Sequence, residues 1–283
     1  MSYETLWHRL TTIYEADEAK AIVRLVLDVR FGLSWTDIIC GKVESLSDNE
    51  KQELEVIAQR LETGEPVQYV LEEAEFGGRT FHVEPGVLIP RPETYELCQW
   101  VMGEGRRKME DGEYSILDIG TGSGCIACTL AAEMPDAEVT AWDISDDALR
   151  IASENAKRTH VHVSFEKVDV LSPSLFTLHP SPATIIVSNP PYICHKERTD
   201  MERNVLEHEP ELALFVPDDD PLLFYRAIAR YAAKALKPEG ALYFEINPLY
   251  VNEMQQMLSE EGFAHTEVRC DQFGKQRFTK SCL

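Results

Sequence analysis

The stretch Asn189-Pro190-Pro191-Tyr192 combines residue types that suit the presentation of a planar NH₂ group to a reaction. Its two prolines remove two backbone N–H donors and hold φ at about −65°. Each proline also restricts the residue before it to an extended backbone conformation. The peptide is therefore stiff, with free carbonyl groups and an Asn side chain held in place. Tyr192 adds a flat aromatic face. We expect this stretch to accept hydrogen bonds from an NH₂ group; the alternative is a proline-ended strand that enters an ordinary loop.

The segment Asp118-Ile119-Gly120-Thr121-Gly122-Ser123-Gly124 lies between an apolar run typical of a strand and one typical of a helix. Glycines allow a tight turn and let a ligand approach the backbone, while the helix N-terminus favours an anionic group. No Gly-Lys-Ser/Thr follows, which excludes a P-loop. We expect a cofactor to bind the residues Gly120, Thr121, Gly122, Ser123 and Gly124.

Two acids follow the next two predicted strands. Asp143 comes about 20 residues after the glycine loop, the spacing of a carboxylate that accepts both ribose hydroxyls of a nucleoside. Asp169 can accept a hydrogen bond from an adenine amino group, with Val170 against the ring. The simpler alternatives are an acid near a helix N-cap and a turn residue. We find no second binding half or hydride acceptor site for NAD, so S-adenosylmethionine is favoured, with its methyl group pointing at Asn189.

Alternating strands and helices from residue 115 onward are expected to position these groups. The pattern is that of a Rossmann-like doubly wound α/β sheet with a terminal antiparallel strand pair, and ligands bind such sheets at the carboxyl ends of the strands. Strands are predicted over 115–119, 138–142, 162–168, 183–187, 241–245, 265–270 and 276–280.

Upstream of this region, residues 1–75 predict a small all-helical N-terminal domain, either a packing domain or a recognition domain for a partner. A β-hairpin linker is expected over 76–95 and the catalytic domain over 96–283. The segment Pro90-Arg91-Pro92-Glu93-Thr94 is either a helix entry or a rigid loop that lines a ligand site. Short strands are predicted over 67–69, 76–78, 80–83 and 86–89.

The composition narrows the class of protein. A net charge of -22 over 283 residues argues against sequence-independent nucleic-acid binding, which relies on Lys and Arg, and leaves room for a basic protein partner. No apolar run approaches the roughly 20 residues that span a bilayer, and the N-terminus lacks signal-peptide features. The 7 scattered cysteines indicate reduced thiols, and no metal site is expected. We therefore expect a soluble, cytoplasmic protein.

Together, the glycine loop, Asp143 and the Asn-Pro-Pro-Tyr stretch resemble class I amino-methyltransferases. Further stretches resemble the release-factor glutamine N5-methyltransferases, also called the HemK or PrmC family, over nearly the whole chain. The family usually has Glu where this chain has Tyr95, and Gly where it has Asn247. The stretches that carry the resemblance are Gly64-Glu65-Pro66-Val67-Gln68-Tyr69, Glu75-Phe76-Gly77-Gly78, Val87-Leu88-Ile89-Pro90-Arg91-Pro92-Glu93-Thr94 and Glu209-Pro210-Glu211-Leu212-Ala213-Leu214.

The resemblance implies methyl transfer from S-adenosylmethionine to the side-chain amide of the Gln in the Gly-Gly-Gln motif of class 1 peptide chain release factors. Catalysis is then expected from Asn189, Pro190, Pro191 and Tyr192, and Asn189 is also expected to contact the cofactor. We expect the Asn189 side-chain oxygen and the Pro190 carbonyl to accept the two amide N–H groups, with Tyr192 packed on the amide plane. The insertion 193–221, with its acidic run 218–220, either clamps the release factor or is a solvated loop.

Other functions remain open on sequence grounds. A ribosomal-protein glutamine methyltransferase would use the same chemistry on another partner. A nucleic-acid adenine N6-methyltransferase must flip a base and grip a backbone, which the net charge of -22 and the lack of a basic recognition domain oppose. A binding protein without activity is a third alternative. We expect no membrane and no direct nucleic-acid partner.

Overall fold

The computed structural model describes residues 1–108, 114–173, 175–178 and 182–283. The chain forms two compact units, one of residues 1–73 together with 202–208, the other of 74–201 together with 209–283. In the described ranges, no helix combines the length and the apolar character needed to cross a lipid bilayer.

The first unit is helical, as its apolar spacing predicts. Leu10, Leu27 and Leu54 are fully buried in its core. Ser34 and Ser47 cap the helices that follow them, each in a capping box. Its N-terminal helices are α1 Tyr3–Leu10, α2 Ala16–Phe31, α3 Trp35–Ile39, α4 Asp48–Glu62 and α5 Val67–Leu71.

The strand expected over 67–69 is wrong, because these residues form helix α5. Pro66 precedes the helix, where its fixed φ suits a first turn and its missing N–H costs nothing. The Arg60 guanidinium donates to the carbonyl oxygens of Tyr69 and Val70 at 3.3 and 3.4 Å, so it satisfies acceptors at the helix C-terminus.

A hairpin is present, formed by β1 Glu73–Phe76 and β2 Arg79–His82, so it begins earlier than the expected range 76–95. The strand expected over 76–78 is wrong, because Gly77 and Gly78, both with positive φ, form the turn between the two strands. The strand expected over 86–89 is absent from this described segment. The Ile89 N–H donates instead to Glu209 Oε2 at 3.1 Å, so the segment is tied to a side chain and not to a sheet neighbour.

A single mixed sheet forms the centre of the second unit. Among the described residues its seven strands follow the order β10-β11-β9-β6-β3-β4-β5, and β11 is antiparallel to both neighbours. The elements after the hairpin are α6 Pro92–Lys108, β3 Tyr114–Ile119, α7 Cys125–Glu133, β4 Ala137–Asp143, α8 Asp146–Arg158, β5 Ser164–Lys167, α9 Leu175–Leu178, β6 Ala183–Ser188, β7 Ile193–Cys194, α10 Arg203–His208, α11 Glu211–Leu214, β8 Phe215–Val216, α12 Leu223–Ala235, β9 Leu236–Glu245, α13 Val251–Glu260, β10 His265–Cys270 and β11 Gln276–Cys282. Of these, α10 belongs to the first unit.

Strand order determines where a ligand can bind. Strand β3 lies between β4 and β6. The chain continues from β3 to β4 and β5 on one side, and then crosses to place β6 on the other side of β3. The carboxyl ends of these three strands therefore meet at a topological switch point. Strand β5 is shorter than expected, and Asp169 lies two residues beyond its end.

Gly124 allows helix α7 to pack closely on α8. Its φ is +79°, and a Cβ at this position would lie 2.9 Å from Ala152 Cβ. Gly122 also has a positive φ, +55°, but no described heavy atom lies within 4 Å of its Cβ position.

We predict that Gly124→Ala destabilises the protein more than Gly122→Ala. Both variants incur a left-handed backbone cost of about 1–2 kcal/mol, whereas the overlap with Ala152 adds about 1–3 kcal/mol at Gly124 alone. Urea unfolding of the two variants without ligand measures the difference. Equal unfolding free energies would show that α7 and α8 do not require the glycine.

Candidate active site

A cavity of about 400 Å³ opens at the switch point of the sheet. Its size is that of a small-molecule site. Ten of the residues predicted for the site line it: Gly120, Thr121, Gly122, Ser123, Asp143, Asp169, Val170, Asn189, Pro190 and Pro191. Gly124 and Tyr192 are not among its lining residues.

The glycine loop is held by main-chain hydrogen bonds. The N–H groups of Gly120 and Thr121 donate to the Trp142 carbonyl at 2.8 and 2.9 Å. A Cβ at Gly120 or Gly122 would have no described heavy atom within 4 Å, and both residues line the cavity. The loop therefore leaves room for a ligand to approach its backbone closely.

Asp143 ends strand β4 with its carboxylate held by the loop. Its Oδ2 accepts the Gly122 N–H and its Oδ1 accepts the Ser145 N–H, both at 2.9 Å. Burial raises the pKa of Asp143, while these backbone donors oppose the shift. Each oxygen keeps a second lone pair, so the side chain can still accept hydroxyl donors from a ligand.

Asp169 combines the two interpretations that its sequence position allows. Its Oδ1 accepts the Leu171 N–H at 2.9 Å, the hydrogen bond of an Asx turn. The residue is exposed and also lines the cavity, next to Val170. A turn acid can thus face a ligand with the oxygen that the turn does not use.

Asp118 is a buried acid below the glycine loop. Its Oδ2 accepts the Thr121 hydroxyl at 2.7 Å and the Ala127 N–H at 3.2 Å. Its Oδ1 makes no hydrogen bond with any residue that the structure describes. Burial is the main reason that the pKa of Asp118 rises to about 7.

Asn189 and Tyr192 are both linked to Glu245, at the end of strand β9. Asn189 Nδ2 donates to Thr94 Oγ1 at 3.2 Å, and Thr94 Oγ1 donates to Glu245 Oε2 at 2.7 Å. The Tyr192 hydroxyl donates to Glu245 Oε1 at 3.1 Å. Burial, and then the neighbouring Glu245, raise the pKa of Tyr192. The Tyr192 hydroxyl therefore donates its hydrogen bond to Glu245, within the protein. The expected packing of the Tyr192 ring on a substrate amide stays a prediction.

The segment 90–94 contributes to the site, together with a contact from Glu209 that the sequence interpretation missed. Arg91 and Thr94 line the cavity and α6 begins at Pro92, so this segment is a helix entry that also lines the candidate ligand site. The buried Glu209 carboxylate pairs with the Arg91 guanidinium and accepts the Ile89 N–H. Arg91 between two prolines was the local signal for this segment, whereas Glu245 had no signal beyond its place at a strand end.

Two acids of the run 218–220 make hydrogen bonds or ion pairs with nearby residues of the same region. Asp218 Oδ1 accepts the Lys196 N–H at 2.9 Å, and the Asp220 carboxylate pairs with Arg226 at 2.9 Å. These contacts shape the loop that follows the Asn-Pro-Pro-Tyr stretch. Its expected role as a clamp on a protein substrate stays a prediction.

Comparison with known proteins defines the class. Residues 107–212 match the family model of the methyltransferase small domain. A solved METTL16 methyltransferase domain superimposes with a TM-score of 0.53 at 17% identity, over 73% of this chain and 89% of that one. A methyltransferase from Pyrococcus furiosus gives 0.50 at 14% identity, over 83% and 98%. With this sheet and this cavity, the chain is a methyltransferase of the class I fold.

The relatives identify the family within that class. Residues 8–71 match the PrmC N-terminal domain model. A release factor glutamine methyltransferase of Bacteroides thetaiotaomicron is 47% identical over 95% of this chain and 94% of its own length. Another, from Bacillus subtilis, is 36% identical over 86% and 84%. The chain belongs to the release factor glutamine methyltransferase family.

We predict that Asp118 lowers stability as the pH rises. Because its folded pKa lies above the ordinary value of 3.8, the protonated form stabilises the folded state at low pH, and this stabilisation is lost as the pH rises through about 7. Between pH 5 and 8, wild type should lose about 2–3 kcal/mol relative to Asp118→Asn. Urea unfolding across this range tests it, with the exposed Asp136→Asn as control. A constant difference between wild type and Asp118→Asn would contradict the prediction.

Proposed function

We propose that this enzyme transfers a methyl group from S-adenosylmethionine to the side-chain amide nitrogen, N5, of the glutamine in the Gly-Gly-Gln motif of a class 1 peptide chain release factor. One observation carries the proposal: Asn189, Pro190 and Pro191 line the same cavity as the glycine loop and Asp143. The residues proposed to accept an NH₂ group therefore line the same cavity as those proposed to bind a nucleoside. The family to which the chain belongs supports the substrate class.

The residues present fit S-adenosylmethionine. The open space above Gly120 and Gly122 suits its methionine end, and Asp143 keeps acceptor capacity for the ribose hydroxyls. Asp169 and Val170 would contact the adenine. When bound, S-adenosylmethionine supplies an electrophilic methyl group, and its departure leaves a neutral thioether, S-adenosylhomocysteine.

The chain's own contribution is to orient a poor nucleophile. The lone pair of an amide nitrogen is delocalised, and no side chain can usefully remove its proton at neutral pH. Asn189 Oδ1 and the Pro190 carbonyl would accept the two N–H bonds and so direct the lone pair toward the methyl group. As the N–C bond forms, the same acceptors stabilise the positive charge on nitrogen, and the proton then passes to water.

The helical first unit is proposed as the part that recognises the release factor, and the net charge of -22 suits a basic partner surface. We place the reaction in the cytoplasm because release factors act in translation. The ribosomal-protein and nucleic-acid alternatives differ in the acceptor alone, so an acceptor comparison separates them.

The substrate prediction is tested with labelled methyl transfer from S-adenosylmethionine to purified release factor, ribosomal protein and DNA in parallel. Label should appear on release factor and be absent when the Gln of its Gly-Gly-Gln motif is replaced by Asn, which shortens the side chain but keeps the amide. Label on ribosomal protein or DNA, with none on release factor, would overturn the proposed function.

We predict that Asn189→Ala lowers kcat by roughly 10²–10³-fold, the usual effect of removing one preorganised polar group. Affinity for S-adenosylmethionine should stay within a few-fold, because Asp143 and the glycine loop are unchanged. Single-turnover kinetics and calorimetric titration measure the two quantities. The exposed Asn252→Ala in α13 is the matched control. Wild-type turnover in Asn189→Ala would remove Asn189 from the site.

A further inference from the structure

The side chain of Asn189 can meet a substrate amide in two ways, because its oxygen and its NH₂ group exchange places when the amide rotates by half a turn. The oxygen accepts a hydrogen bond, whereas the NH₂ group can only donate. The proposed function needs the oxygen to face the substrate. Neither the prolines nor the backbone of the stretch determines which orientation is adopted, since rotation about the last side-chain bond leaves the backbone unchanged.

Thr94 determines the orientation of the Asn189 amide, because its hydroxyl group has a single proton to donate. A hydroxyl group has one proton, and that of Thr94 is directed to Glu245 Oε2 at 2.7 Å. Toward Asn189 the Thr94 oxygen can therefore only accept, and Asn189 Nδ2 lies 3.2 Å away. An amide turned the other way would place two acceptors against each other. The NH₂ group is thus held at Thr94, which leaves Oδ1 as the acceptor of the side chain.

Glu245 fixes the direction of this chain of hydrogen bonds. Its side chain is buried, with 2% of the residue exposed, and each of its oxygens receives a hydroxyl donor, Thr94 on Oε2 and Tyr192 on Oε1. Burial raises the pKa of Glu245, whereas the Thr94 hydroxyl, the nearby Arg277 and the Tyr192 hydroxyl lower it. In its ionised form the carboxylate accepts only, so both hydroxyl protons point to it. Glu245 therefore holds the first and last residues of the Asn-Pro-Pro-Tyr stretch, one through Thr94 and the other directly.

We propose that Thr94 and Glu245 are positioning residues for methyl transfer, which hold the Asn189 side-chain amide so that its oxygen, and not its nitrogen, meets the substrate NH₂ group. The inference rests on the proposed function for its catalytic consequence. The hydrogen-bond chain itself is a property of the protein alone and is open to measurement without any substrate.

The kinetic test compares Thr94→Val, which keeps the shape and removes the hydroxyl, with Thr94→Ser, which keeps the hydroxyl. Thr94→Val should lower kcat roughly 10–100-fold, because a reacting group loses its orientation, while KM for release factor and Kd for S-adenosylmethionine stay within a few-fold. Thr94→Ser should stay within a few-fold of wild type. Thr129→Val is the matched control, since the buried Thr129 hydroxyl makes no hydrogen bond with any described residue.

A double-mutant cycle tests whether the two residues act together. Glu245→Gln replaces one of the two acceptor oxygens with an NH₂ donor, so one of the two hydroxyl donors loses its acceptor and kcat should also fall. If both residues act on Asn189 through one chain, Thr94→Val with Glu245→Gln should lose no more than the worse single variant. Multiplied losses in the double variant would contradict a shared chain.

A substrate-free measurement separates this inference from the proposed function. In protein labelled with ¹⁵N-asparagine, the Asn189 side-chain NH₂ signal, assigned by its loss in Asn189→Ala, should shift in Thr94→Val and return in Thr94→Ser. If wild type methylates no release factor, the proposed function fails while this signal still reports on the hydrogen-bond chain. An unshifted NH₂ signal in Thr94→Val, wild-type kcat in that variant, or Thr94→Ser as slow as Thr94→Val would overturn the inference.

Discussion

A carboxylate that leaves water must receive hydrogen-bond donors, and this requirement holds the site of this protein together. Three such acids, Asp118, Asp143 and Glu245, lie at the carboxyl end of a strand, where each accepts hydrogen bonds from segments outside the sheet. Asp118 and Asp143 hold the glycine loop, through Thr121 and Gly122. Glu245 holds Thr94, in the first turn of α6, and Tyr192 of the Asn-Pro-Pro-Tyr stretch. These hydrogen bonds connect the sheet to segments that the sheet's own hydrogen bonds do not hold in place.

This arrangement divides the task of orienting a substrate between two kinds of constraint. Pro190 and Pro191 restrict the backbone by covalent geometry, which needs no partner. The rotation of the Asn189 side chain has no covalent restraint and is fixed by hydrogen bonds from outside the stretch. A reaction on a weak nucleophile requires both, because a small error in its approach to the methyl group lowers the rate strongly.

Tyr95 and Asn247, the two residues that depart from the family pattern, both make contacts near the site. Tyr95 places its ring over Gly77, so that any Cβ there would overlap it, and it packs edge-on against Phe76 with ring centroids 5.5 Å apart. It therefore fastens the hairpin to the start of α6. Asn247 Nδ2 donates to the Tyr192 carbonyl at 3.1 Å and to Glu197, bonds that a glycine cannot make. Both side chains make local contacts near the site, and neither is among the residues that line the cavity.

The sequence alone determined the sheet, its terminal antiparallel pair, the helical first unit and the residues of the glycine loop, because each follows from short-range periodicity or from a compact motif. Tertiary structure decided the rest. The contact between Thr94 and Glu245 joins residues 151 positions apart, and no local pattern records such a pair. The inward hydroxyl of Tyr192 depends on the same distant carboxylate. Residues 67–71 are helical: Pro66 precedes the helix, and Arg60 donates to carbonyl oxygens at its C-terminal end, a contact that the β-branched composition did not reveal. Local chemistry selects which groups can react, and distant hydrogen bonds select how those groups point.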